Sequence, residues 1–182
     1  MSLYPMRNTP QLIQGLNDLI EYAREQLGDL STKKIIEIGS YAGESSVMFA
    51  KHFKEVVCID PFNDGYDAND IASSYAPFSE VEKAFDENVK EFKNIIKIKA
   101  TSDHASTLLT ERYDMVYIDG MHTYEQVSKD INNYLQWNLH PLCIVSGHDY
   151  SDNWIGVKNA VNDFFKAPHK TFQDTSWAIT LK

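Results

Sequence analysis

Apolar residues fall into two patterns along this chain. Some form short runs, interrupted by at most one charged residue; others recur every three or four positions over longer stretches. The short runs are Ile35 to Ile38, Val56 to Ile59, Ile95 to Ile98, Tyr113 to Ile118 and Pro141 to Val145. Runs of this length, with apolar side chains on both faces, suit buried parallel strands. Between them, helical spacing sets Val47, Met48, Ala50 and Phe53 on one side of a helix starting near Glu44 or Ser45. It does the same for Val81, Phe85, Val89 and Phe92 and for Tyr124, Val127, Ile131 and Leu135, and a helix after Thr101 holds Leu108 and Leu109. A further helix from Trp154 to Phe165 is expected to bury Val157, Ala160, Val161 and Phe164.

The punctuation agrees with the periods. Thr9 and Pro10 are an N-cap and first-turn proline for a helix carrying Leu12, Ile13, Leu16, Leu19, Ile20, Ala23 and Leu27, which Gly28 can close. Ser79-x-x-Glu82 and Thr123-x-x-Gln126 read as capping boxes, and Thr101 as a simple N-cap. At the end of the chain, His169 to Gln173 and Trp177 to Leu181 flank a turn at Asp174-Thr175, which predicts an antiparallel hairpin. Strands alternating with helices, then a hairpin, give an α/β fold: a doubly wound, mostly parallel seven-stranded sheet with a C-terminal antiparallel hairpin. The expected organisation is one domain over residues 1–182, with 1–30 as a helical extension and 31–182 as the core.

The first strand-helix-strand unit carries the strongest chemical signal. Gly39 and Gly43 flank Ser40, Tyr41 and Ala42 directly after the first strand, and Asp60 ends the second, 21 positions after Gly39. Glycines allow a sharp turn and close approach of a ligand to the backbone. A carboxylate at the tip of the second strand can accept hydrogen bonds from both ribose hydroxyls, so the arrangement points to a nucleoside. It is not the dinucleotide pattern, because G-x-G-x-x-G is absent, and no G-K-[S/T] marks a triphosphate site.

Composition narrows the partners. A net charge of −9 disfavours non-specific contact with a phosphate backbone, which leaves a small molecule as the expected substrate and nucleic acid as an unexpected one. No apolar run approaches the length of a membrane helix, and the first ten residues lack the core of a signal peptide, so a cytoplasmic protein without membrane contact is expected. Cys58 and Cys143 both fall in predicted strands and read as buried free thiols. The sequence carries no clear oligomer signal, although a homodimer is compatible with it.

Glu37-x-Gly39-x-x-x-Gly43 resembles the first motif of the class I S-adenosylmethionine (SAM) dependent methyltransferases. The resemblance implies that the glycine loop wraps the methionine part of the cofactor and that Asp60 holds the ribose. It makes Glu37, Gly39, Ser40, Tyr41, Gly43 and Asp60 cofactor-binding residues. Ser102 and Asp103, just past the third strand, would then meet the adenine, beside the capping role of this segment. Residues 1–8 are placed where they could fold over such a cofactor. The loop from Pro61 to Pro77 is long enough to shape a substrate site.

Asp119 ends the fourth strand, His122 follows it, and His148-Asp149 follows the fifth. Neighbouring strands bring these groups into one crevice beside the glycine loop, where they could hold a cation. The stretch YDMVYIDGMHTYEQVSKDI, followed by IVSGHDY, is similar to metal-dependent small-molecule O-methyltransferases of the catechol and antibiotic-sugar types. That resemblance implies Asp119, His148 and Asp149 as ligands of a divalent cation, magnesium or manganese, and His122 as the catalytic base beside Asp119. An imidazole ligand also suits iron or zinc. Tyr41, Tyr66, Tyr75, Tyr150 and Trp154 are candidates to line an aromatic acceptor pocket. The function expected is O-methylation of a hydroxylated small molecule: a diol, sugar or phenol. A catalytically silent SAM-binding module, or a metal-dependent hydrolase or nucleotide-binding α/β protein using the same crevice, stays open.

Overall fold

The computed structural model describes residues 7–65, 67 and 75–182. Seven strands form one sheet: β1 (Lys34–Ile38), β2 (Glu55–Asp60), β3 (Ile95–Lys99), β4 (Tyr113–Ile118), β5 (Leu139–Gly147), β6 (Lys170–Thr171) and β7 (Trp177–Leu181). Their order is β3-β2-β1-β4-β5-β7-β6. The first five are parallel; β7 runs antiparallel to both β5 and β6. This is the α/β sheet with a reversed edge that the alternation of periods implies.

Among the described residues, six α-helices cover the two faces: α1 (Pro10–Leu27), α2 (Glu44–Ala50), α3 (Phe78–Val89), α4 (Ser102–Leu108), α5 (Tyr124–Trp137) and α6 (Ile155–Phe165). Successive strand residues point to opposite faces, so each strand feeds two cores. Ile35, Val56, Met115 and Ile144 meet Leu16 and Ile20 of α1, Phe49 of α2 and Phe85 of α3. Ile36, Val57, Val116 and Val145 meet Ala105 of α4, Ile131 of α5 and Val161 of α6. Side chains buried on both faces are the physical reason these strands read as apolar runs rather than as alternation.

The helix caps are partly as expected. Thr9 and Thr101 accept from the amides of Leu12 and His104, and Gly28 takes a positive φ of 80° after α1. Thr123 accepts from the amide of Gln126, but the Gln126 side chain turns inward instead of completing the box. Ser79 does not cap: α3 starts one residue earlier, behind Pro77, and Glu82 faces Lys97 and Lys99 across the surface. In α2 the buried side is Ser45, Ser46, Phe49 and Ala50 rather than one containing Val47 and Met48. The serines turn inward because a buried carboxylate, Glu37, lies beneath them. Phe164 and Tyr124 are about two-fifths exposed, contrary to their apolar spacing.

β5 begins at Leu139, two residues before the expected start. Its pairing jumps from Tyr113–Leu139 to Met115–Ile144, so extra residues around Pro141 form a bulge. A proline in a strand interior is accommodated in such an irregularity because it has no amide to donate. Cys58 and Cys143 are both buried and free.

The chain runs outward from β1 through β2 to β3, then returns across the sheet to β4. The reversal opens a crevice at the carboxyl ends of β1 and β4. Everything that follows is built at that point.

Candidate functional site

A cleft of about 360 Å³ lies over the carboxyl ends of β1, β2, β4 and β5. One wall is the loop after β1. Gly39 has φ +83°, and a Cβ there would fall 2.0 Å from the carbonyl oxygen of Asp119, so only glycine fits where the two strand ends meet. Gly43 also has positive φ and starts α2, away from the cleft surface. Ser40 and Tyr41 line the cleft. Asp60 lies beneath them, with Oδ2 accepting from the Tyr41 amide at 3.0 Å and Oδ1 from the Phe62 amide at 2.8 Å.

These two bonds have a structural meaning. Tyr41 and Phe62 take φ of 43° and 45°, unusual for residues with side chains. The Asp60 carboxylate holds both strained peptides in place, and the Ser40 amide adds a further hydrogen bond to it. Burial pushes its carboxyl up, and amide hydrogen bonds from Phe62 and Tyr41 draw it back.

Glu37 does not reach the cleft. It is fully buried below the loop and accepts from the Ser46 hydroxyl; burial raises its pKa, and the neighbouring Ser45 and Ser46 hydroxyls counter this. Its place is that of a post under the loop. Ser102 lines the cleft, whereas Asp103 lies outside its lining and accepts from Gln126 and Asn133.

The opposite wall gathers Asp119, His122, His148 and Asp149. Asp149 Oδ2 is 2.9 Å from His122 Nε2 and 3.1 Å from His148 Nδ1. Burial pushes the Asp149 carboxyl up, but bonds from the two imidazoles outweigh it and hold the acid well below the usual carboxylate range. For Asp119 burial wins: its pKa is raised despite His148 and Arg7. Burial lowers the His148 pKa, while Asp119 and Asp149 more than offset this and raise it. Asp149 also has a positive φ, 62°.

The sequence-based ligand set and the geometry differ in one member. Asp119, His122 and Asp149 each offer one ligand atom, all within 4.8 Å of one another. His148 instead sits behind Asp149, with Nε2 turned toward Asp174 at 3.9 Å. Two carboxylates and an imidazole on one side of an open cleft fit a divalent ion such as manganese, iron or zinc.

Three more residues of this wall belong to no chemical motif, although the N-terminal segment, the Pro61–Pro77 loop and the hairpin turn that hold them are each expected from the sequence. Arg7 precedes the α1 cap, outside any periodic stretch, yet its guanidinium donates to Tyr117 Oη at 2.6 Å. It also pairs with Asp174 at 3.1 Å and Asp119 at 3.4 Å. Its backbone amide donates to Glu44 at the start of α2. Asp174 belongs to the terminal hairpin turn, where it accepts from Ser176. Asp67 accepts from the His122 amide at 3.2 Å. Only spatial proximity relates these positions, and no motif could.

Of the aromatic candidates, Tyr41 and Trp154 line the cleft, and the Trp154 ring stacks on His122 with centroids 4.2 Å apart. Tyr150 is tied to Asn162, and Tyr75 lies outside the lining. Tyr66 and residues 68–74 of the expected loop lie outside the described residues, as do residues 1–6 of the N-terminal segment. Among the described residues, no helix is long and apolar enough to cross a membrane.

The sequence profile of a family described as a methyltransferase domain matches residues 36–150. That span runs from β1 to just past His148-Asp149 and contains the glycine loop, Asp60 and the Asp119, His122 and Asp149 group. Solved structures share the shape at low identity. The N-methyltransferase NodS from Bradyrhizobium japonicum WM9 has a TM-score of 0.66 at 16% identity, covering 97% of this chain and 99% of that one. It is also known in complex with S-adenosyl-L-homocysteine. A Staphylococcus aureus protein proposed to be a caffeoyl-CoA O-methyltransferase has a TM-score of 0.63 at 18% identity, covering 92% and 82%. An rRNA methylase from Streptococcus thermophilus has a TM-score of 0.60 at 11% identity, covering 98% of each chain. At these identities the likeness is one of fold. No curated protein matches the sequence.

Proposed function

The chain belongs to the methyltransferase-domain family, and on that premise we propose that it is a SAM-dependent O-methyltransferase acting on a hydroxylated small molecule with the help of a divalent cation. The observation that carries the reading is the meeting, in one cleft, of two different walls. One is a glycine loop over a buried Asp60, suited to a nucleoside. The other is an Asp119–His122–Asp149 group, suited to holding and deprotonating a hydroxyl. An amine acceptor needs no such group if it arrives neutral; a hydroxyl must lose its proton to become a good nucleophile.

In this reading Gly39, Ser40 and Tyr41 receive the methionine part of the cofactor, Asp60 its ribose and Ser102 its base. Asp119, His122 and Asp149 would hold a divalent cation, which when bound lowers the pKa of a substrate hydroxyl. This makes His122 a ligand instead of the base that the family resemblance implies. His148, with Nδ1 near Asp149 and Asp119, would orient the Asp149 carboxylate. Trp154, stacked on His122, offers a face to a flat or ring-shaped acceptor. The net charge of −9 and the acidic cleft favour a small acceptor over a nucleic acid.

The test is a methyl-transfer assay over a panel of catechols, vicinal diols and amino sugars, with manganese or magnesium and with a chelator. Methylation of a diol that the chelator abolishes supports the full reading. Transfer that is unaffected by chelation removes the metal from it, and transfer only to amines removes the O-methyl assignment.

A further inference from the structure

Behind the cleft wall lies a buried polar cluster that the chemistry above does not use. Ser102 is the first residue of α4 and lines the cleft. Its carbonyl accepts from Tyr134 Oη at 2.9 Å, and its Oγ lies 3.1 Å from Gln126 Nε2. The same Gln126 nitrogen lies 3.0 Å from Asp130 Oδ1 and 3.4 Å from Asp103 Oδ1. Asp130 is 1% exposed, and its Oδ2 is buried without a hydrogen-bond partner.

An ionised carboxylate with an unmet oxygen in the interior is costly, so such a group holds its proton to higher pH than usual. Burial pushes the Asp130 carboxyl up to about 7, against hydrogen bonding to the Ser102 and Gln126 side chains that draws it down. The charged groups that act on it are Asp103 from α4, which pushes it up, and Lys129 on its own helix, which draws it down. The two amide hydrogens of Gln126 go to its nearest acceptors, Ser102 Oγ and Asp130 Oδ1. The Ser102 hydroxyl hydrogen then has two directions open: an acceptor in the cleft, or Asp130. A neutral acid competes weakly for that hydrogen, and a carboxylate competes strongly.

We propose that Gln126 and Asp130 are positioning residues that set the Ser102 hydroxyl as a donor to the purine of the bound cofactor and withdraw it when Asp130 ionises. Cofactor affinity thereby falls as pH rises through neutrality, by way of residues outside the cleft. The inference rests on the S-adenosyl reading above.

Calorimetric titration with S-adenosylhomocysteine, at about pH 6 and about pH 8.5, tests it. One hydrogen bond gained or lost corresponds to about threefold to tenfold in affinity. Wild type is expected to weaken by that factor between the two conditions. Asp130→Asn and Ser102→Ala should each flatten the profile, Ser102→Ala at the weaker level. Gln126→Met, which keeps Asp130 but removes the shared amide, should weaken binding at the lower pH and serves if Asp130→Asn does not fold. Binding in wild type with no pH dependence, or an unchanged slope in folded Asp130→Asn, would overturn the inference and leave the cofactor reading standing. No binding to wild type under either condition would overturn both.

Discussion

The two walls of the cleft are built on different principles. The β1–β2 wall is mostly backbone: a glycine at φ +83°, two strained peptides at Tyr41 and Phe62, and one buried carboxylate holding their amides. The β4–β5 wall is mostly side chains. Its members come from the N-terminal segment (Arg7), the two strand ends (Asp119, His122, His148, Asp149), the loop after β2 (Asp67) and the terminal hairpin (Asp174). A backbone wall fixes a cofactor of constant shape. A side-chain wall can change its chemistry without disturbing the fold, which is where acceptor choice belongs.

The largest effect should come from breaking the seam between the walls. Gly39→Ala puts a Cβ into the Asp119 carbonyl at a positive φ. It is expected to cost about 3 kcal/mol or more in urea unfolding, damaging both walls together. Arg7→Met should come next. It leaves the buried Asp174 and the partly buried Asp119 without their guanidinium, for a loss of about 3 kcal/mol. The same unfolding experiment reads it, and a loss below about 0.5 kcal/mol, the level of a surface pair, would show that Arg7 does not organise this wall.

The smallest effect concerns Asp130, which belongs to neither wall but backs the first. Its folded pKa, about 7, is raised above the ordinary value near 4. The folded state therefore binds more protons than the unfolded state between about pH 4 and about pH 7. The stability this group contributes is fully present below about pH 4 and is lost as pH rises through about 7. Asp130→Asn has no such loss, so it should exceed wild type at pH near 8, with the gap closing toward pH 4. Thermal unfolding across that range checks the sign: a gap that widens toward acid would contradict it.

The same contrast explains how much could be read from the sequence. The glycine loop and Asp60 are legible because a positive φ demands glycine and a strand tip fixes the acid, so identity and position are tied within one β-α-β unit. Asp119, His122 and Asp149 are legible as strand-end residues, since parallel order makes β4 and β5 neighbours. Their individual roles are not, because one rotation of His122 or His148 decides which nitrogen faces the carboxylates. Arg7, Asp67 and Asp174 are invisible locally: what joins them is tertiary approach across up to 167 positions. The Ser79 box failed because proline at 77 already starts α3. The buried face of α2 is not legible from hydropathy, because Glu37 draws Ser45 and Ser46 inward.

The division of labour between the walls can be tested with one titration series: S-adenosylhomocysteine into wild type, Asp60→Ala and Asp149→Ala, each confirmed folded. Binding in wild type, weakened about a hundredfold in Asp60→Ala and changed by less than about threefold in Asp149→Ala, is the predicted result. Equal losses in the two variants, or no binding to wild type, would contradict a cleft divided into a cofactor wall and a reaction wall.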